Sequence, residues 1–239
     1  MGLFTDLLWA IYRPKPSPPP YKKPGASVKT VYLPAGYTIK SLKDAKATGC
    51  SVERGGETII VDGGWKVILD CKKQKGDGSQ NEHQDPVARC ETKVKWMNCW
   101  FRNVKNALTF DYPNGSIQDC VFLDIGEDAV ANTQNGENLT VRNVVFLNSV
   151  KGDKSLQINN GLNADVRNCT FYLGRTAIRL GEKSYNVPGR DKGHVRYCTF
   201  IGVDTCFNIS SISANIDLPG HTYSWCRKKY KLSNGATLI

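Results

Sequence analysis

Apolar and polar positions alternate in short bursts along most of this chain, and between residues 96 and 226 the bursts are versions of one line. The line reads Trp96-Met97-Asn98-Cys99-Trp100-Phe101, Ile117-Gln118-Asp119-Cys120-Val121-Phe122 and Val141-Arg142-Asn143-Val144-Val145-Phe146. It continues as Val166-Arg167-Asn168-Cys169-Thr170-Phe171, Val195-Arg196-Tyr197-Cys198-Thr199-Phe200 and, more loosely, Tyr223-Ser224-Trp225-Cys226-Arg227-Lys228. The fourth place recurs at steps of 21, 24, 25, 29 and 28 residues. A period of two within each line predicts strands, and the β-branched and aromatic residues at the apolar places agree. The intervals hold Gly, Asn and Asp instead of amphipathic helical pattern. A repeat of roughly 20–30 residues built from short strands and turns predicts a coil that stacks on itself. The expected fold is all-β: a right-handed single-stranded parallel β-helix with an extended Pro-rich N-terminal arm. The Cys/Val column and the column Phe101, Phe122, Phe146, Phe171 and Phe200 should then form ladders inside the coil.

A second strand follows each line: Asn106–Phe110, Asp128–Asn132, Lys154–Ile158, Thr176–Leu180 and Thr205–Ile209. Its third place holds Leu, Val, Leu, Ile and Phe, which predicts an inward column. Its fourth place, Thr109, Ala131, Gln157, Arg179 and Asn208, is expected to face out. Earlier strands are expected at 28–33, 37–39, 57–61 and 65–69, with a short helix at 41–48 covering the end of the coil. Polar loops at 72–86 and 181–194 interrupt the period, and loops of that length are functional or simply insertions.

The first 26 residues break the pattern. An apolar stretch containing Leu7, Leu8, Trp9 and Tyr12 precedes Pro14, Pro16, Pro18, Pro19, Pro20 and Pro24. Proline at that density favours an extended spacer. The chain divides accordingly into residues 1–26, a docking arm or a disordered tail, and residues 27–239, the coil. As an arm, Leu7, Leu8, Trp9 and Tyr12 would contact other protein subunits. The apolar stretch is too short to span a bilayer, and it lacks the basic leader and small-residue cleavage site of a classical signal peptide.

With 239 residues and 40% hydrophobic content, the chain can bury one continuous core. A net charge of +10 points to acidic partners. Nucleic acid is the weakest of these, because no known module or stacked aromatic platform accompanies the basic residues. The nine cysteines include no Cys-x-x-Cys pair, which argues against a zinc knuckle. Those in the ladder column are expected to be buried free thiols. A disulfide among Cys50, Cys71, Cys90 and Cys206 stays open.

The coil places Glu127, Asp128, Asp153, Lys154, Gln157, Arg175 and Arg179 on one side of three successive turns. Such a strip is either a salt-bridged solvated face or a site. Its three motifs are Gly126-Glu127-Asp128-Ala129, Asp153-Lys154-Ser155-Leu156-Gln157-Ile158-Asn159-Asn160-Gly161 and Gly174-Arg175-Thr176-Ala177-Ile178-Arg179. In order and spacing they resemble the class III pectate lyases over roughly residues 95–180. That resemblance implies a single-domain β-helix acting on acidic polysaccharide. It assigns calcium to Glu127 and Asp128, and catalysis by β-elimination to Lys154 and Arg179. Gln157, Arg175 and Asp153 would contact the substrate. Three places depart from the family pattern. Ala107 and Leu108 stand where an acid of the preceding coil belongs, Ile158 replaces a histidine, and Arg179 falls one residue late. The expectation is a lyase-type coil with a degraded calcium site, carried on a phage-type virion or another extracellular assembly as a structural, decoration or attachment protein. An active calcium-dependent pectate lyase is the alternative.

Overall fold

The computed structural model describes residues 16–34, 36–70, 88–103, 106–126, 128–133, 135–148, 154–159, 163–181, 193–209 and 220–232. They form a parallel β-helix. Each coil contributes one strand to each of three sheets, so neighbouring repeats pair side by side along the axis. Sheet I holds eight strands, from Lys29–Val31 to Thr222–Ser224, and carries the phenylalanine column. Sheet II holds seven, from the hairpin Ser51–Asp62 to His194–Arg196. Sheet III holds eight, from Thr38–Ile39 to Lys228–Leu232, and carries the second recurring strand.

The register matches the first five lines residue for residue; the sixth is displaced, because Tyr223 pairs with Phe200 and Cys226 therefore stands outside the cysteine column. Phe122 pairs with Phe101 and Phe146, Phe171 with Phe146 and Phe200, and Phe200 with Tyr223. Their rings stack nearly parallel, with centroids 4.6 to 5.4 Å apart. Five of these rings are wholly buried phenylalanines, and burying each is worth roughly 1.5–3 kcal/mol.

The corners explain the spacing of the lines. Where sheet II turns into sheet I, the residue before the ladder position is left-handed in five successive coils: Asn98, Asp119, Asn143, Asn168 and Tyr197 have φ between 50° and 55°. Asparagine and aspartate tolerate that conformation better than other non-glycine residues. They also bond along the axis, Asn98 Nδ2 to Asp62 Oδ1 at 3.0 Å and Asn143 Nδ2 to Asp119 Oδ1 at 3.1 Å. A second ladder stands between sheets III and II, where Asn114, Asn138 and Asn163 are left-handed too. There Asn138 donates to Asn114 Oδ1 at 3.0 Å and Asn163 to Asn138 Oδ1 at 3.2 Å.

This turn also explains the cysteines. Each ladder thiol sits just past the bend and donates to the carbonyl two residues back. Cys99 bonds Met97 O at 3.0 Å, Cys120 bonds Gln118 O at 3.3 Å, Cys169 bonds Arg167 O at 3.3 Å and Cys198 bonds Arg196 O at 3.4 Å. A small apolar side chain with a weak donor fits that place. Val144 fills the same volume without the donor. All eight described cysteines are free thiols; Cys71 lies outside the described residues.

The N-terminal end is closed as expected, by a short helix, α1 (Leu42–Lys46). Ser41 caps it, and its hydroxyl and Asp44 Oδ2 are 2.9 Å apart, while Ala45 is buried against the coil. Two strands went unforeseen. Ser51–Gly55 doubles back on Thr58–Asp62 and makes the one antiparallel pair among the described strands. Ala88–Cys90 continues sheet III beyond residues 71–87, which are not described.

Residues 16–25 run along the outside of sheet I. Tyr172 Oη donates to Pro16 O at 2.6 Å, and Trp100 Nε1 donates to Lys22 O at 2.6 Å. Tyr21 packs on the outward cluster of Ile68, Trp100 and Val121, and the Lys22 ammonium lies 4.7 Å from the centre of the Trp65 ring. This part of the Pro-rich segment is therefore an outer strap on its own coil. Leu7, Leu8, Trp9 and Tyr12 lie outside the described residues.

Candidate functional site

The outward face of sheet III is a column set by its register. Arg89, Thr109, Ala131, Gln157, Arg179, Asn208 and Lys231 follow one another in adjacent strands. Strand spacing puts successive members about 4.8 Å apart. Flanking it at the corner is a second column, Asn106, Asp128, Lys154, Thr176, Thr205 and Lys228. Asp128, Lys154, Gln157 and Arg179 of the strip read from the sequence thus share one surface, which extends through Arg89, Asn208 and Lys231.

Within it, Asp128 and Lys154 form an ion pair, Nζ to Oδ1 at 3.1 Å, with side chains only 15% and 13% exposed. The lysine proton is engaged by the carboxylate, which suits a binding cation better than a free amine base. One coil on, Gln157 lies beside Arg179. Gln157 is the most covered member of this outward column, while its neighbours are half-exposed or exposed. Gln157 Nε2 donates to Asn159 Oδ1 at 2.8 Å, which fixes the amide on the wall. Its Oε1 and the Nε of Arg179 are both buried and have no protein partner. Arg175 is exposed at the same corner. The second place is buried along with the third: Ala107 and Leu108, Ala129 and Val130, and Ala177 and Ile178 all belong to the core. Bulkier residues at the second place would crowd that core.

Glu127 and Asp153 lie outside the described residues. Among those described, no three His, Cys, Asp or Glu side chains converge as metal ligands. The register partner of Asp128 in the preceding coil is Asn106, followed by buried Ala107. With Asp128 paired to Lys154, the described residues do not assemble the oxygen cage a hard cation takes.

Other charge pairs complete the surface. Arg89 bonds Asp111 at 2.6 Å. Asp70, almost fully buried, accepts from Arg102 Nη2 at 2.7 Å and from Asn103 Nδ2 at 2.9 Å. On sheet II, burial pushes the Asp165 carboxyl up, but hydrogen bonds from Arg142 and Arg167 outweigh it and hold the group below the ordinary carboxylate range. Arg89, and the place of Lys231 in this column, escaped the sequence reading. Aligning Tyr230 under Phe207 would have found Lys231, whereas Arg89 is separated from the regular lines by residues 71–87.

No family model matches the chain. Among the described residues no helix is long and apolar enough to cross a membrane.

Proposed function

We propose that this protein is a polysaccharide-binding β-helix, related in design to pectate lyases, that holds acidic glycan along the outer wall of sheet III. The observation that carries the reading is the outward column in which half-exposed Arg179 lies between Gln157 and Asn208, beside exposed Arg175 and Lys231. A uronate polymer presents carboxylates and hydroxyls at intervals along an extended chain. Guanidinium groups bind carboxylates through paired hydrogen bonds, and an amide oxygen accepts from a hydroxyl. A row of such groups along the coil axis suits a ligand with a matching axis.

The chain is mounted on a larger assembly, of the kind a phage virion presents, through residues 1–26. Within that segment Leu7, Leu8, Trp9 and Tyr12 supply the apolar side chains for contact with other subunits.

The wall is tested by calorimetry with polygalacturonate, with and without calcium, while the ultraviolet absorbance of unsaturated product is followed. Binding that survives chelation, falls at least tenfold in Arg179→Ala, and yields no product supports the proposal. Calcium-dependent product would establish the lyase instead, and absence of binding removes both. Deletion of residues 1–15 should release the protein from its particle while the coil stays folded.

A further inference from the structure

Cys50 ends the tight turn that follows α1. Its backbone N–H bonds Thr48 Oγ1 at 3.3 Å, and that hydroxyl donates to Ala45 O at 2.7 Å. Gly49 takes φ +71°, with a Cβ there standing 3.0 Å from Val31 Cγ2, so the turn is held against the first strand of sheet I. This carries Cys50 Sγ to 3.9 Å from Cys99 Sγ, across 49 residues of sequence. Cys99 is fully buried. Its sulfur is fixed from behind, because a Cβ on Gly63 would stand only 2.8 Å away. Cys50 is half-buried. One sulfur is thus open to a reagent in solution, and the other is reached only through the first. A reactive disulfide needs that pairing of an attacking thiol and a resolving thiol.

We propose that Cys50 and Cys99 close into a reversible disulfide that staples the N-terminal cap to the coil. With a low-molecular-weight disulfide as oxidant, the Cys50 thiolate attacks one of its sulfurs and releases one thiol. The Cys99 thiolate then displaces the second thiol from Cys50. Two protons leave the cysteines, two electrons pass to the oxidant, one protein S–S bond forms and two small thiols are produced. The sulfurs must approach to about 2.05 Å, and Cys50, on the exposed side, is the member that moves. The closed link ties α1 and the antiparallel hairpin, which shield the coil's open end, to its first cysteine repeat. An oxidising surrounding would favour the closed form and a reducing one the open form.

The full-length protein is incubated with glutathione disulfide, quenched with an alkylating reagent, digested without reduction and mapped by mass spectrometry. The expected product is a Cys50–Cys99 linked peptide, two hydrogens lighter than the reduced pair and absent after dithiothreitol. The oxidised protein should melt several degrees higher than the reduced one. Cys50→Ser and Cys50→Ala should both lose the link and the shift, and Cys120→Ala should keep both. Cys50 recovered as a lasting mixed disulfide with Cys99 still alkylatable overturns the proposal. So does a map showing only a link between Cys206 and Cys226, which lie in contact near the other end. A linked peptide without a rise in melting temperature overturns the stapling role.

Discussion

Asn143 separates two contributions that are mixed at every corner of this coil. Its φ is 55°, and its side chain donates to Asp119 Oδ1 at 3.1 Å on an exposed edge. Asn143→Gly removes the hydrogen bond and leaves the backbone at ease. An exposed bond of this kind contributes at the low end of about 0.5–1.5 kcal/mol. Asn143→Ala removes the same bond and also forces a Cβ into the left-handed region, at a further cost of roughly 1–2 kcal/mol. Glycine also leaves the unfolded chain more freedom, which offsets roughly 0.4–1 kcal/mol of this, so alanine should lie about 0.5–1 kcal/mol below glycine. Urea titration followed by far-ultraviolet circular dichroism measures the difference, read as a shift in midpoint at constant slope. The corner argument fails if alanine proves as stable as glycine, because the left-handed column would then carry no strain for asparagine to relieve. A change in slope would mean that the coil comes apart in stages, as stacked repeats can.

Phe146→Ala, in the middle of the ring column, should cost about 3–5 kcal/mol by the same titration, with further loss from the stacking on Phe122 and Phe171 at 5.1 and 4.9 Å. Val144→Cys completes the thiol column and should change stability by less than about 1 kcal/mol, since the side chains are close in volume. Gly174→Ala should destabilise strongly on thermal melting: φ is +93°, and a Cβ would stand 2.1 Å from Asn148 Nδ2. Asp165 supplies a pH prediction. Its folded pKa lies below the ordinary 3.8, so its contribution is complete above that value and is lost as pH falls through the lower folded one. Asp165→Asn should lower stability at neutral pH and flatten the acid limb of a melting-temperature profile.

The coil was legible because its repeat is written in side chains that meet their own copies. Phe101 to Phe200 could be aligned by eye, and they are aligned in space. The helix at Leu42–Lys46 was legible from Ser41 and the short polar run after it. The strand at Ser51–Gly55 was not, because it pairs backwards with its neighbour and has no copy elsewhere. Ala88–Cys90 was hidden because its register is set by Thr38–Ile39 and Asn106–Phe110, each distant in sequence. In the site, the strand period located Asp128 beside Lys154 and Gln157 beside Arg179. It could not show that Gln157 is buried, since that depends on how its neighbours lean across the wall. The strap was read as a spacer because proline content speaks of extension and says nothing of what an extended segment lies against. Trp100 and Tyr172, which hold it, look like ordinary members of their strands.

The strap has a consequence for biosynthesis. Pro16 leaves the ribosome early, yet the tyrosine that anchors it is 156 residues away and has still to be translated. The coil can wind turn upon turn as it emerges, while the strap must wait alongside it, proline-rich and without a strand of its own to join. Its docking is then a late event in maturation, a latch that engages only on a chain whose sheet I has been built at least as far as Tyr172.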